Sequence, residues 1–318
     1  MITVRVLGEG GLQTGGAELL GAAGLKWIDI LNPTAEELAP VAVQFGLHPL
    51  EVEDCLHLDQ RPKLEEYPGH LFLVLHGFQV ANGDLDSLEL VELHTFLGPD
   101  WLISVHQHAC TPVDAAARRL SADPEHTLGR GVDFALYVLA DALVDSNFPI
   151  LDLLSDEVED LQDKVFEFPR PAQLQRIFAL KRSLVMVRRV LSPQRDVVAL
   201  FARRGMPQVQ ERTALYFRDV YDHLVRLYEQ IDSARDLLSG ATEGYLSSVA
   251  NRTNDITKQL TIFSTIFLPL SFITGFFGQN FELLSARGFF WAMVTLVGVF
   301  PVALVFWFRH KGWIGAGP

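Results

Sequence analysis

The chain has 318 residues, 49% of them hydrophobic and 20% charged, with a formal net charge of −13. That charge argues against nucleic acid as a partner and is compatible with handling cations. Two cysteines, Cys55 and Cys110, are too few for a disulfide framework and argue against a Cys-based zinc site.

The opening "MITVRVLGEGGLQ" lacks a basic stretch followed by an apolar one, so no cleaved signal is expected. Residues 26–31, 70–79, 88–98 and 100–107 read as strands, with Asn82-Gly83 as a hairpin turn. Residues 34–46 read as a helix, capped by Thr34, closed into a capping box by Glu37 and stopped at Gly46. A shorter helix follows at 48–57. Together these predict an α/β domain over residues 1–145. No glycine-rich dinucleotide or phosphate loop is present.

Residues 112–122 and 131–206 read as helical, with breaks at "EFPRP" (167–171) and "SPQ" (192–194). An acidic helical hairpin is expected over 146–207. Its Asp152, Asp156, Glu157, Glu159, Asp160 and Asp163 suit a solvated face or a place to gather cations. From Val209 there is no proline until Pro269, and apolar or aromatic residues recur at 217, 220, 221, 224, 227, 228, 231, 234, 238, 241, 245 and 249. Spacings of three and four predict one helix of roughly 100 Å running to residue 277. Its stalk occupies 208–259.

Residues 260–277 carry no charge over 18 positions, and residues 288–308 carry none over 21. Each is long enough to cross a bilayer core of about 30 Å. The spans are placed at 260–278 and 288–308, joined by a short loop over 279–287, with a basic tail over 309–318. Arg252 and Lys258 precede the first span, and Arg309, His310 and Lys311 follow the second. The positive-inside rule puts both termini in the cytoplasm and the loop outside. Trp291, Trp307 and Trp313 suit interfacial anchoring.

Steps of three and four through the first span pick out Asn254, Thr257, Thr261, Ser264, Leu268, Ser271, Gly275 and Gly278. Seven of these eight are small or polar. Such a strip either permits close helix packing or lines a water-filled path shared by several copies. Spacing alone leaves both open, and two spans in one chain cannot enclose a pore. Pro269 removes a donor from the ladder and frees the Thr265 carbonyl. The uncharged Gly278-Gln279-Asn280 after the span is either a turn or a ring of amides that hold a hydrated cation through its waters.

Three stretches carry a resemblance: "HPLEVEDCLHLDQRPKLEEY" (48–67), the run from "YFRDVYDHLVRLYEQ" to "TKQLT" (216–261), and "STIFLPLSFITGFFGQNFE" (264–282). In this order they resemble CorA-type divalent metal ion transporters. The resemblance implies an α+β membrane protein and not an enzyme: a homopentameric funnel with a cytoplasmic α/β domain and a stalk helix that continues as the first span. That span would line the pore and the second would surround it. No prosthetic group is implied. Divalent cations would be both cargo and regulator, Mg²⁺ foremost, and the cell membrane the location.

Carried over residue by residue, the family's Gly-Met-Asn signature falls on Gly278, Gln279 and Asn280, with Asn280 as entrance ligand. The pore-lining positions implied are Glu243, Asn254, Thr257, Leu260, Leu268, Ser271 and Gly275. The regulatory pair implied is Asp54 with Asp219, across a subunit interface. Gln279 departs from the signature, Glu282 is the only acid in the loop, and the tail is less basic. Relatives with another middle residue include ZntB-type zinc transporters, so zinc, cobalt or nickel transport by the same fold, with or without proton coupling, is the alternative. Two rivals stand outside transport: a membrane-anchored hydrolase using His106 and His108, and a tethered coiled-coil scaffold.

Overall fold

The structure, a computed structural model, describes residues 1–57, 59–80, 85–167, 169–203, 205–279 and 287–314. It divides into two compact units, Met1–Thr242 and Glu243–Pro318.

The first unit is built on a seven-stranded sheet of β1 (Ile2–Gly8), β2 (Gly11–Gly15), β3 (Leu25–Leu31), β4 (Lys63–Tyr67), β5 (His70–Val80), β6 (Leu88–Leu97) and β7 (Trp101–His106). The strand order is β2-β1-β3-β7-β6-β5-β4, antiparallel throughout except for the β3–β7 pair. The four expected strands are present. Three more were not anticipated: β1, the glycine-ended β2 and the charged β4. The last two are sheet edges, where half of the backbone groups face away from the sheet and the apolar demand is weak. The expected Asn82-Gly83 turn lies outside the described residues, although β5 and β6 pair on either side of it, Val80 opposite Leu88.

Helices α1 (Ala35–Phe45) and α2 (Pro49–Leu56) cover one face of the sheet. Leu38, Val41 and Cys55 pack there with Val4, Ile28, Ile30, Phe72, Val74 and Ile103. The Thr34 hydroxyl accepts from the Glu37 amide and the Glu37 carboxylate accepts from the Thr34 amide, both at 3.2 Å. Gly46, at φ 68°, ends α1 in the left-handed region that a side chain disfavours.

The other face is covered by α4 (Val132–Asp145), which follows α3 (Thr111–Ala122). The stretch beginning with α4 is apolar enough to pass for a membrane span, but 67% of that window is buried inside the structure, against 0% for the windows in the two later helices. It is therefore a core helix. Next come α5 (Phe148–Glu167) and α6 (Pro171–Ala202).

The expected break at "SPQ" is absent, because α6 runs through Pro193. A helical proline forfeits one intrahelical bond, and its neighbour Gln194 anchors the helix. The Gln194 side chain accepts from the His76 amide at 2.6 Å and donates to the His76 carbonyl at 3.0 Å. It thus completes the buried edge of β5 that β4 leaves unpaired beyond its end.

The last two helices are α7 (Glu211–Phe277) and α8 (Arg287–His310). α7 is one helix of 67 residues, unbroken at Gly240 and Pro269. Its buried seam within the first unit is Phe217, Val220, Leu224, Leu227, Ile231, Ala234, Leu238 and Ala241. In the second unit the half-buried positions of α7 include Ile262, Thr265, Pro269, Ile273 and Phe277. On α8 they are Met293, Val297, Phe300, Pro301 and Leu304, with Phe308 fully buried. The coiled-coil spacing on both helices marks the seam along which the two spans face each other.

Candidate ion pathway and cation-binding patch

Asn254, Thr257, Thr261, Ser264, Leu268, Ser271 and Gly275 on α7, and Gly278 just past its end, are all exposed. At about 100° per residue they fall within an arc of roughly 120°, nearly opposite the half-buried seam. Glu243 falls in the same arc. Leu260 and Thr261 flank its centre on either side, so helix geometry holds both to this strip. Pro269 and Thr265 lie on the seam side, which takes the freed carbonyl away from the strip.

The strip has a definite chemistry. Thr257 donates its hydroxyl proton to the Thr253 carbonyl at 2.9 Å, and Thr261 donates to that of Thr257 at 2.8 Å. Hydroxyls committed in this way present lone pairs outward, and lone pairs suit the water protons of a hydrated cation. Leu268, 72% exposed, is the one bulky apolar side chain among these eight. At the end of α7, the Gly278 amide donates to the Thr274 carbonyl at 2.9 Å and the Gln279 amide to that of Phe276 at 3.3 Å. Asn280 and Glu282 lie outside the described residues.

The two expected regulatory acids are engaged separately within the chain. Asp54, on α2, accepts from the Lys63 ammonium at 2.7 Å. Asp219, on α7, is 63% exposed and lies 3.7 Å from His223 Nε2. His223 Nδ1 in turn is 2.6 Å from Asp145 Oδ1. Asp141, Asp145 and His223 place three ligand atoms within 4.8 Å of one another. Burial, then the neighbouring Asp145, raise the Asp141 carboxyl above its ordinary range, outweighing Arg119. Crowded carboxylates of this kind are what a bound cation relieves.

This patch was missed from sequence. Its signal was present: Asp141 with Asp145 and Asp219 with His223 each sit four apart, on one face of a helix. The "HQH" motif does not form a site. His106 is buried, with Nε2 3.3 Å from Asp29 Oδ1 and Nδ1 2.6 Å from the His108 carbonyl. His108 lies beyond the end of β7, so strand alternation does not bring the two rings together.

Residues 22–310 match the family described as CorA-like Mg²⁺ transporter protein. The chain belongs to the CorA family. CorA proteins are membrane transporters and not enzymes, which removes the hydrolase reading. The cobalt/magnesium transport protein CorA of Thermotoga maritima is 35% identical over 292 residues, covering 91% of this chain and 83% of the relative. The zinc transport protein ZntB of Yersinia enterocolitica is 24% identical, covering 80% of this chain and 77% of the relative. Among solved structures, the complete CorA magnesium transporter from Methanocaldococcus jannaschii shares the fold, with a TM-score of 0.88, 24% identity and 99% coverage of both chains.

Proposed function

We propose that this CorA chain assembles as a homopentamer and conducts a divalent cation, Mg²⁺ foremost, across the cell membrane toward the cytoplasm, where both termini lie. The observation that carries the reading is the strip on α7. A face of lone-pair oxygens and small side chains turned away from α8 has no role in a solitary chain, but five such faces around an axis line a weakly polar path. Gly278, Gln279 and Asn280 form the entrance, where uncharged amides hold a cation through its waters. Leu268 is the constriction that closes by excluding water. A potential of 100 mV supplies about 4.6 kcal/mol to a divalent ion, so no other energy source is required.

On the cytoplasmic side, ions bound between Asp54 of one subunit and Asp219 of the next hold the closed arrangement, with Asp141, Asp145 and His223 completing the patch. Loss of the ions leaves facing carboxylates to repel and shifts the population toward the open form. Zinc, cobalt or nickel transport, with or without proton coupling, is the second reading: His223 offers the proposed regulatory patch a nitrogen ligand, which suits those ions better than Mg²⁺. Gln279 in place of the signature Met adds to it.

Uptake into liposomes at a fixed potential, with Mg²⁺, Zn²⁺, Co²⁺ and Ni²⁺ in turn and with or without a pH gradient, separates these cargoes. Asn280→Ala and Gly275→Phe should each abolish flux in protein that still assembles. Normal flux through Gly275→Phe would remove α7 from the pathway.

A further inference from the structure

We propose that Lys63 is a built-in competitor for the regulatory cation: it neutralises Asp54 when the ion is absent and retreats to Glu65 when the ion binds. The inference rests on the sensing role proposed above for Asp54.

The geometry gives Lys63 two anions at once. Its ammonium lies 2.7 Å from Asp54 Oδ2 and 3.0 Å from Glu65 Oε1. It also sits 5.3 Å from the centroid of the Phe72 ring, within cation–π range. Lys63 and Glu65 alternate along β4 and so share a face, while Asp54 reaches them from α2. The other Glu65 oxygen accepts from the Tyr67 hydroxyl at 3.1 Å, which fixes the second anion in place. The side chains of Lys63 and Asp54 are 27% and 23% exposed, open enough for an arriving ion and enclosed enough for the pair to be ordered. Burial works against the lysine's charge, but the hydrogen bonds to Asp54 and Glu65 outweigh it and keep the ammonium protonated.

A carboxylate oxygen that accepts from an ammonium at this distance is not free to ligate a divalent cation with full strength. Binding is then an exchange, in which the ion takes Asp54 and the ammonium leaves it. Glu65 and the Phe72 face keep the released ammonium from being stranded, and this makes the exchange reversible. The arrangement raises the ion concentration at which the sensor responds. It also means that the ion-free subunit carries a compensated Asp54, not a bare charge.

A rival account makes Lys63 a staple that pins α2 to β4. The two accounts predict different signs. For the competitor, Lys63→Met frees Asp54 and lowers the Mg²⁺ concentration giving half-protection from chymotrypsin by about fivefold, the scale of a partly exposed ion pair. Glu65→Gln confines the ammonium to Asp54 and raises that concentration. For a staple, both variants loosen α2 and raise it together.

The test uses the full chain in detergent with Mg²⁺ as the probe, and with thermal midpoints measured in its absence to register any loss of fold. Glu65→Gln, at a more exposed position, supplies the sign by itself should Lys63→Met fold poorly. Opposite shifts support the exchange; parallel shifts, or no shift, overturn it. Asp54→Asn serves as the reference. If it abolishes Mg²⁺-dependent protection, the two variants decide the exchange alone. If it leaves protection intact, the sensing role of Asp54 falls and the exchange with it.

Discussion

Glu92→Gln should destabilise the first unit in a strongly pH-dependent way. The Glu92 side chain, on β6, is 3% exposed. Its Oε1 lies 2.8 Å from His94 Nε2 and its Oε2 lies 3.4 Å from His76 Nε2. It also accepts from the backbone amides of Asp59 and Gln60 at 3.1 and 3.3 Å. Burial opposes the charge, but the contacts to His76 and His94 outweigh it and bring the carboxyl from 4.5 down to about 2. A depression of that size corresponds to about 3 kcal/mol of folding stability. Because the folded value lies below the unfolded one, this stabilisation is whole above pH 4.5, declines as the pH falls and is gone by about pH 2.

Urea unfolding of the detergent-solubilised chain, read by the fluorescence of the buried Trp27 and Trp101, gives the comparison. At pH 7 the variant should be weaker by about 3 kcal/mol, and the gap should close by about half near pH 3.3. A gap that stays constant to pH 3 would assign the cost to packing and refute the electrostatic account. The amides that Glu92 holds belong to the segment joining the Asp54 helix to the Lys63 strand, so the same variant should also broaden the Mg²⁺ response.

Asp219→Lys should lose Mg²⁺-dependent protection from proteolysis while the protein still assembles; unchanged protection would remove Asp219 from the sensor. Gln194→Leu leaves the amide and carbonyl of His76 buried without partners and should cost roughly 2–5 kcal/mol in urea unfolding. A loss below about 0.5 kcal/mol would show that water reaches the β5 edge.

Hydrophobic periodicity made most of the fold legible. The stalk seam, the two charge-free runs and the Thr34 cap are strong local signals; the structure forms the cap and both helical runs, and a seam narrower than the periodicity implies, with Tyr221 and Tyr228 half-buried and Val249 exposed. The edges β2 and β4 were invisible because a strand needs apolar alternation only where both neighbours press on it. The continuity of α6 through Pro193 was equally hidden, since it depends on a contact between residues 118 apart in sequence. The site divides in the same way. The strip on α7 follows from helical spacing within one segment. The cluster of Asp141, Asp145 and His223 required knowing that α4 and α7 lie side by side, and Lys63 required knowing which strand runs beside α2. No local pattern carries that information.

The unbroken α7 also makes the molecule a strict counter of residues. Each residue inserted between Asp219 and Ser271 would turn the helix beyond it by about 100°, so in the proposed pentamer a single addition would point the strip away from the shared axis. An insertion of seven brings the face back to within about 20°. Natural or engineered variants in this stretch should therefore change length in whole heptads, a signature of indexing set by the turn of the helix and not by the chemistry of any one side chain.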